Sequence, residues 1–343
     1  MPQLWAVQNR HWALPLPRAR KRTRMMVWAL AILGLVILLL AGDALVKGAV
    51  NLSLRAGIPA FIVSLTIVAF GTSAPELLIA IRAAMENVPG IALGNVIGSN
   101  TANVLLILGL PAIFTTIHTQ HCETQRTYAM MIGASVLFIA LAFAGVFTWV
   151  SALVLLAALA MVLWDMLRSA RGARAAHKAS QTCTSEEPEG ADPDMPKWQI
   201  ALFLGLGLIG LPLGADLLVD NAAAIARQYH VSEPVIGLTL VALGTSLPEL
   251  ATTTMAALRR QADVALGNVI GSNLFNLLAI IGVAALIRPL PVDAEFLQFD
   301  LWIMLGTSLL LLPFVYLRWN ITRTWGLALT ALYLGYVAVV LGH

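Results

Sequence analysis

The sequence predicts an all-α polytopic membrane protein with ten transmembrane helices in two inverted five-helix repeats. Three observations predict it. Of 343 residues, 59% are hydrophobic and only 11% are charged, where a soluble domain carries about 25% charged residues. About ten runs approach the roughly 20 apolar residues that cross a hydrocarbon core of about 30 Å. Finally, Leu65–Gly109 aligns without a gap on Leu238–Gly282, 173 residues further on, and 25 of the 45 positions are identical.

The spans fall at 25–42, 58–84, 89–114, 128–146, 148–167, 198–215, 234–257, 262–287, 299–317 and 324–342. Backbone polar groups in lipid must be satisfied internally, and an uninterrupted apolar run does this as a helix. The alternating ten-residue pattern of a membrane β-barrel is absent.

Residues 1–24 form a basic tail with Arg10, Arg18, Arg20, Lys21, Arg22 and Arg24. Met25-Met26 stands directly before the first apolar run, so the expected start of the working protein lies there. A retained tail and a cleaved signal peptide ending near Ala41-Gly42 are the alternatives. Against the signal peptide, Asp43 aligns with Asp216 at the same 173-residue offset, so the first helix reads as a repeat element.

Residues 25–167 then make one five-helix half and 198–343 the other. Between them, 168–197 begins basic (Arg168, Arg171, Arg174, Lys178) and ends acidic (Glu186, Glu187, Glu189, Asp192, Asp194). Such a segment buries too little apolar surface to order itself. It reads as a flexible cytoplasmic linker. Its acidic run lacks the ligand spacing and turn glycine of a calcium loop.

Five helices per half is an odd number, which turns the second half upside down relative to the first. Inverted repeats with interrupted helices at the midplane mark secondary transporters. With both termini outside, 12 basic residues fall in inner loops and three (Arg82, Arg227, Arg288) in outer ones. The positive-inside rule favours this orientation in a cell inner membrane. Cys122 and Cys183 fall in inner loops and lack metal or redox spacing.

The chemistry sits in the duplicated stretch. Gly71-Thr72-Ser73-Ala74-Pro75-Glu76 recurs as Gly244-Thr245-Ser246-Leu247-Pro248-Glu249. Each proline lacks an N–H, which frees the carbonyl four residues earlier, and each glycine lets the chain bend. Backbone oxygens around Gly71–Ser73 and Gly244–Ser246 thus become candidate ligands. A carboxylate at the bilayer centre costs at least about 2.5–3.5 kcal/mol on insertion scales, so Glu76 and Glu249 are retained for function. Thr72 and Thr245 precede them by four residues, on the same helical face.

The second motif is Gly94-Asn95-Val96-Ile97-Gly98-Ser99-Asn100, repeated as Gly267-Asn268-Val269-Ile270-Gly271-Ser272-Asn273. Asn95, Ser99 and Asn103 are spaced by four, as are Asn268, Ser272 and Asn276. Ser99, Asn103, Ser272 and Asn276 read as ligands, whereas Asn95 and Asn268 are balanced between ligand and packing. The glycines form small-xxx-small pairs that let helices approach closely. Two carboxylates with hydroxyl, amide and backbone oxygens make a hard site suited to calcium, sodium or protons. None of the six histidines lies in either motif.

Gly-Thr-Ser-x-Pro-Glu followed by Gly-Asn-x-x-Gly-Ser-Asn, doubled and inverted, resembles the α-repeats of the calcium/cation antiporter superfamily, in its prokaryotic sodium/calcium exchanger branch. The resemblance extends from Met25 to the end of the chain. It implies alternating access, with helices 2, 3, 7 and 8 holding the ions and helices 1 and 6 sliding against them. The ligands it implies are Thr72, Ser73, Glu76, Ser99 and Asn103 with Thr245, Ser246, Glu249, Ser272 and Asn276. Ala69 and Ala242 match positions that use backbone oxygens. Well-understood members often carry Asp where this chain has Asn276, so its central charge is −2 rather than −3.

The resulting expectation is a secondary antiporter exchanging Ca²⁺ for Na⁺ or H⁺, with no cofactor, no enzymatic activity, no nucleic-acid partner and no obligatory protein partner. A cation channel is the rival, although channels usually build their pores by oligomer symmetry. An intramembrane protease finds only half of an aspartyl motif, at Gly42-Asp43.

Overall fold

The computed structural model of the protein describes residues 21–119, 124–179, 192, 194–229 and 242–342. The described chain is almost wholly helical. Helices α1 (Lys21–Ala56), α2 (Ala60–Thr72), α3 (Ala74–Met85), α4 (Pro89–Phe114), α5 (Gln125–Ala142) and α6 (Trp149–Ala179) make the first half. The second half contains α7 (Lys197–Gln228), a short turn Ala242–Gly244, α8 (Leu247–Leu258), α9 (Ala262–Ile287), α10 (Phe296–Tyr316) and α11 (Arg323–Gly342). Among the described residues, eight helices are long and apolar enough to cross a membrane, or nine when the bent pair α2–α3 counts as one span. The span expected at 234–257 has its first eight residues outside the described residues, and α8 is its remainder.

Several helices outrun their expected ends. The first, expected over 25–42, continues through Ala56, because nothing in Ala44–Ala56 breaks a helix. It stops where Gly57 takes φ 65° and Pro59 follows, with Ile58 N–H closing back onto the Ser53 carbonyl at 3.1 Å. Asp43 therefore lies within a helix, not at its end. Likewise α7 runs through Pro212 and past Asp216 to Gln228. Basic residues expected in the linker continue α6 as far as Ala179.

Helices α4 and α9 form the centre. In each, 78% of the apolar stretch is buried, against 39% or less in the other spanning helices. The polar stripe of the second motif thus lies inside the protein rather than against lipid. Both helices contain a wider π-type turn that begins on a matched residue, at Asn103–Ile107 and Asn276–Ile280. Such turns concentrate at functional sites, because one added residue re-aims the side chains around it.

Helices α1 and α7 pack against each other along a glycine seam. A Cβ on Gly34 would lie 2.6 Å from the Leu218 nitrogen, and one on Gly207 would lie 2.5 Å from Leu45 Cβ. The 173-residue offset exchanges these two contacts. Short extended segments are paired in the same way. Ile117 pairs with Ile321, while β1 (Val146–Phe147) pairs antiparallel with β2 (Leu290–Pro291), placing Phe147 opposite Leu290. Ile117 and Leu290 are offset mates, so the loop following each central helix is tied to the opposite half.

Candidate cation site

Both first motifs break their helices at the same residue. Helix α2 ends at Thr72, Ser73 takes φ −83° and ψ 6°, and α3 departs at 45°. On the other side Ser246 takes φ −90° and ψ 1° before α8 begins. Pro75 and Pro248 occupy the first turn of the new helix, where a missing N–H costs least. Glu76 and Glu249 follow in that first turn, where the amide dipoles of a half-helix favour negative charge.

The two halves meet at these residues. Glu76 and Glu249 are each 1% exposed. Ser73 Oγ donates to Glu249 Oε1 at 3.2 Å. Thr72 Oγ1 lies 3.4 Å from Asn268 Oδ1 and 3.3 Å from the Ala69 carbonyl oxygen. That carbonyl also accepts the Ser73 N–H at 3.0 Å. Asn268 Nδ2 reaches Thr253 Oγ1 at 3.0 Å and the Glu249 carbonyl at 3.3 Å. Asn268 is thus a fully buried brace between the two motifs of its own half, while Asn95 is only partly buried.

Five buried oxygens on the expected ligands have no hydrogen-bond partner within the protein. They are Glu76 Oε2, Glu249 Oε2, Asn103 Oδ1, Asn276 Oδ1 and Ser272 Oγ. Native interiors pair most buried polar atoms, and an unpaired one costs about 1–3 kcal/mol. Ser99 and Ser246, 6% and 5% exposed, line one cavity of about 300 Å³ between α4 and α11, together with Asn95, Tyr333 and Tyr336. Thr245 is half-buried, and of Ala242 only the helical backbone is described. The donor set is entirely oxygen. Neutral hydroxyl and amide oxygens outnumber the two carboxylates in it, which suits a hard cation.

Asn100 and Asn273 stand within the repeated motif but outside the expected ligand set. Asn100 Nδ2 donates to the Asn273 carbonyl at 3.4 Å, and Asn273 Nδ2 to the Asn100 carbonyl at 3.5 Å. Asn273 Oδ1 also receives Asn103 Nδ2 at 2.9 Å, fixing which way the Asn103 amide turns. Each asparagine reaches its own offset mate, so the central helices cross where these residues meet. Asn273→Leu is expected to leave the Asn103 amide without its acceptor and the Asn100 carbonyl without its donor. A fall of several degrees in the unfolding temperature in detergent would register the loss, at about 1–3 kcal/mol per unpaired group.

The family described as sodium/calcium exchanger protein matches residues 26–167 and 199–342, which is most of the chain. The chain belongs to the sodium/calcium exchanger family. It is 32% identical to sodium/calcium exchanger MaX1 of Methanosarcina acetivorans over 340 residues, covering 90% of this chain and 97% of that one. It is also 33% identical over 296 residues to inner membrane protein YrbG of Escherichia coli, covering 86% and 90%. The sodium-calcium exchanger NCX_Mj, from a crystal soaked with Na⁺ and Sr²⁺, superposes with a TM-score of 0.76 at 31% identity. That match covers 92% of this chain and 98% of its own. Membership in the exchanger family makes this chain a membrane-embedded calcium antiporter. It does not favour the channel reading.

Proposed function

We propose that the chain is an alternating-access antiporter that carries Ca²⁺ one way and Na⁺ or H⁺ the other through a single central site. The observation that carries this reading is the buried pair Glu76 and Glu249, joined through Ser73 and accompanied by unpartnered oxygens from both halves. Ten helices in inverted halves, 25–167 and 198–343, accommodate this pair at one midplane position. The exchanged contacts along the α1–α7 seam and between Asn100 and Asn273 support that symmetry. The ligands are Thr72, Ser73, Glu76, Ser99 and Asn103 with Thr245, Ser246, Glu249, Ser272 and Asn276, aided by the backbone oxygens of Ala69 and Ala242. The linker lies on the cytoplasmic face and both termini lie outside.

Charge governs the cycle. Empty, the site carries −2 and resists crossing hydrocarbon. One Ca²⁺ cancels that charge, and so do two monovalent ions, so occupied forms cross where the empty form does not. The decisive measurement is calcium flux in proteoliposomes with sodium and proton gradients imposed separately. Saturable Ca²⁺ uptake driven by one of these gradients is expected. Uptake that follows the calcium gradient alone, with neither counter-ion moved, would favour a channel instead.

A further inference from the structure

Asp43 and Asp216 occupy matched positions on α1 and α7 and belong to no ligand set. Asp43 accepts a charged hydrogen bond from Arg259 Nε, at the corner between α8 and α9, and both side chains are about three-quarters buried. The offset mate of Arg259 is Glu86, at the corner between α3 and α4. The two corners have the same backbone. Asn87 and Arg260 take φ 62° and 55°, Val88 N–H bonds the Ala83 carbonyl at 2.9 Å, and Gln261 N–H bonds the Ala256 carbonyl at 2.8 Å. They differ in charge: one corner presents a cation to its aspartate, the other an anion.

The helices packed on the corners differ as well. Helix α1 lies tightly on α8, and a Cβ on Gly42 would stand 3.1 Å from the Ala251 backbone. Helix α7 makes no comparable packing on α3. Ala251 is accordingly 2% exposed, and its offset mate Leu78 is 62% exposed. Asp216 and Glu86 are both exposed. The molecule is closed where α1 meets α8 and apart where α7 would meet α3.

In an inverted-repeat transporter the opposite-facing state arises when one helix bundle rocks against the other about the site, so that the halves trade conformations. In that state α1 leaves α8 and α7 closes on α3, bringing Asp216 towards Glu86. We propose that Asp43–Arg259 is a one-sided latch. It holds the α1–α8 face shut, while its symmetry counterpart brings two acids together and opposes closure of the other face. The ion-free antiporter therefore rests in the state seen here, and each turnover must break the latch. This inference rests on the alternating-access reading above.

The test uses full-length protein with Cys122 and Cys183 replaced by serine and one of two cysteine pairs introduced. Val46→Cys with Ala256→Cys reports the latched face, since both residues share one buried cluster. Val219→Cys with Ala83→Cys is the offset-related pair on the other face. Yields with a short bifunctional thiol reagent are compared in ion-free liposomes. Asp43→Asn or Arg259→Gln should lower the first yield relative to the second by up to about fivefold, the upper range of an exposed charge pair. The double exchange Asp43→Arg with Arg259→Asp should restore the ratio. Glu86→Arg, on an exposed side chain, should raise the second yield by giving Asp216 a partner. Unmoved ratios in both Asp43→Asn and Glu86→Arg, while Ca²⁺ still shifts the parent's ratio, would overturn the latch. A parent whose ratio ignores both Ca²⁺ and Na⁺ would instead overturn alternating access.

Discussion

Glu76→Gln and Glu249→Gln are each expected to abolish calcium exchange while leaving a folded, membrane-inserted protein. Glutamine keeps the shape and one carbonyl oxygen, so Ser73 Oγ can still donate across the site at its present 3.2 Å from position 249. What changes is the count of charge. A site of −1 holding Ca²⁺ must cross hydrocarbon with a net positive charge, at a cost of at least about 2.5–3.5 kcal/mol. At about 1.4 kcal/mol per decade, this slows exchange roughly a hundredfold. Calcium uptake into everted vesicles measures it, and gel filtration of the purified variants checks folding. Near-normal flux in either variant would remove that glutamate from the ion site.

Gly271→Leu is expected to be as damaging for a different reason. A Cβ at Gly271 would lie 2.6 Å from both Ala69 Cβ and the Leu65 carbonyl oxygen. These atoms belong to the half-helix that carries the first motif. Even the first added carbon must push α2 away from α9, and a leucine adds three more. Overpacking typically costs about 1–3 kcal/mol, and here the strain falls between the two elements that carry the proposed ligands. More than tenfold loss of calcium uptake is expected, with less monodisperse protein recovered in detergent. Gly133→Leu is the control, since Gly133 on α5 is exposed and nothing stands within 4 Å of its added Cβ. Equal damage from both changes would show that helix hydrophobicity, rather than the close approach, decides.

Much of the candidate site was legible because the sequence says it twice. Glu76 and Glu249 needed only two facts: a carboxylate is costly in lipid, and duplication makes accident implausible. The breaks at Ser73 and Ser246 followed from glycine and proline at fixed spacing. Helix lengths were less legible, since α1 and α7 continue beyond their apolar stretches. Hydropathy marks where a helix meets lipid, not where its hydrogen bonds end, so Asp43 was placed at a terminus that does not exist. The partnership of Asp43 with Arg259 lay further out of reach. It joins residues 216 positions apart, from helices whose mutual packing no local pattern records. The Asn100–Asn273 pair could have been found. Two copies of one asparagine on crossing helices of related halves are the natural candidates to meet on a symmetry axis.

The glycine seam between α1 and α7 has a consequence for energy conversion. A device that drives one gradient uphill with another wastes its fuel whenever both doorways stand open together. Two independently hinged doors would need a signal between them to prevent this. Interlocked at Gly34 against Leu218 and at Gly207 against Leu45, the two helices behave instead as one door leaf hung between two doorways. Swinging clear of one frame carries the leaf into the other. Thrift is then a property of the carpentry, and a substitution that loosened the seam would appear first as ions slipping through without exchange.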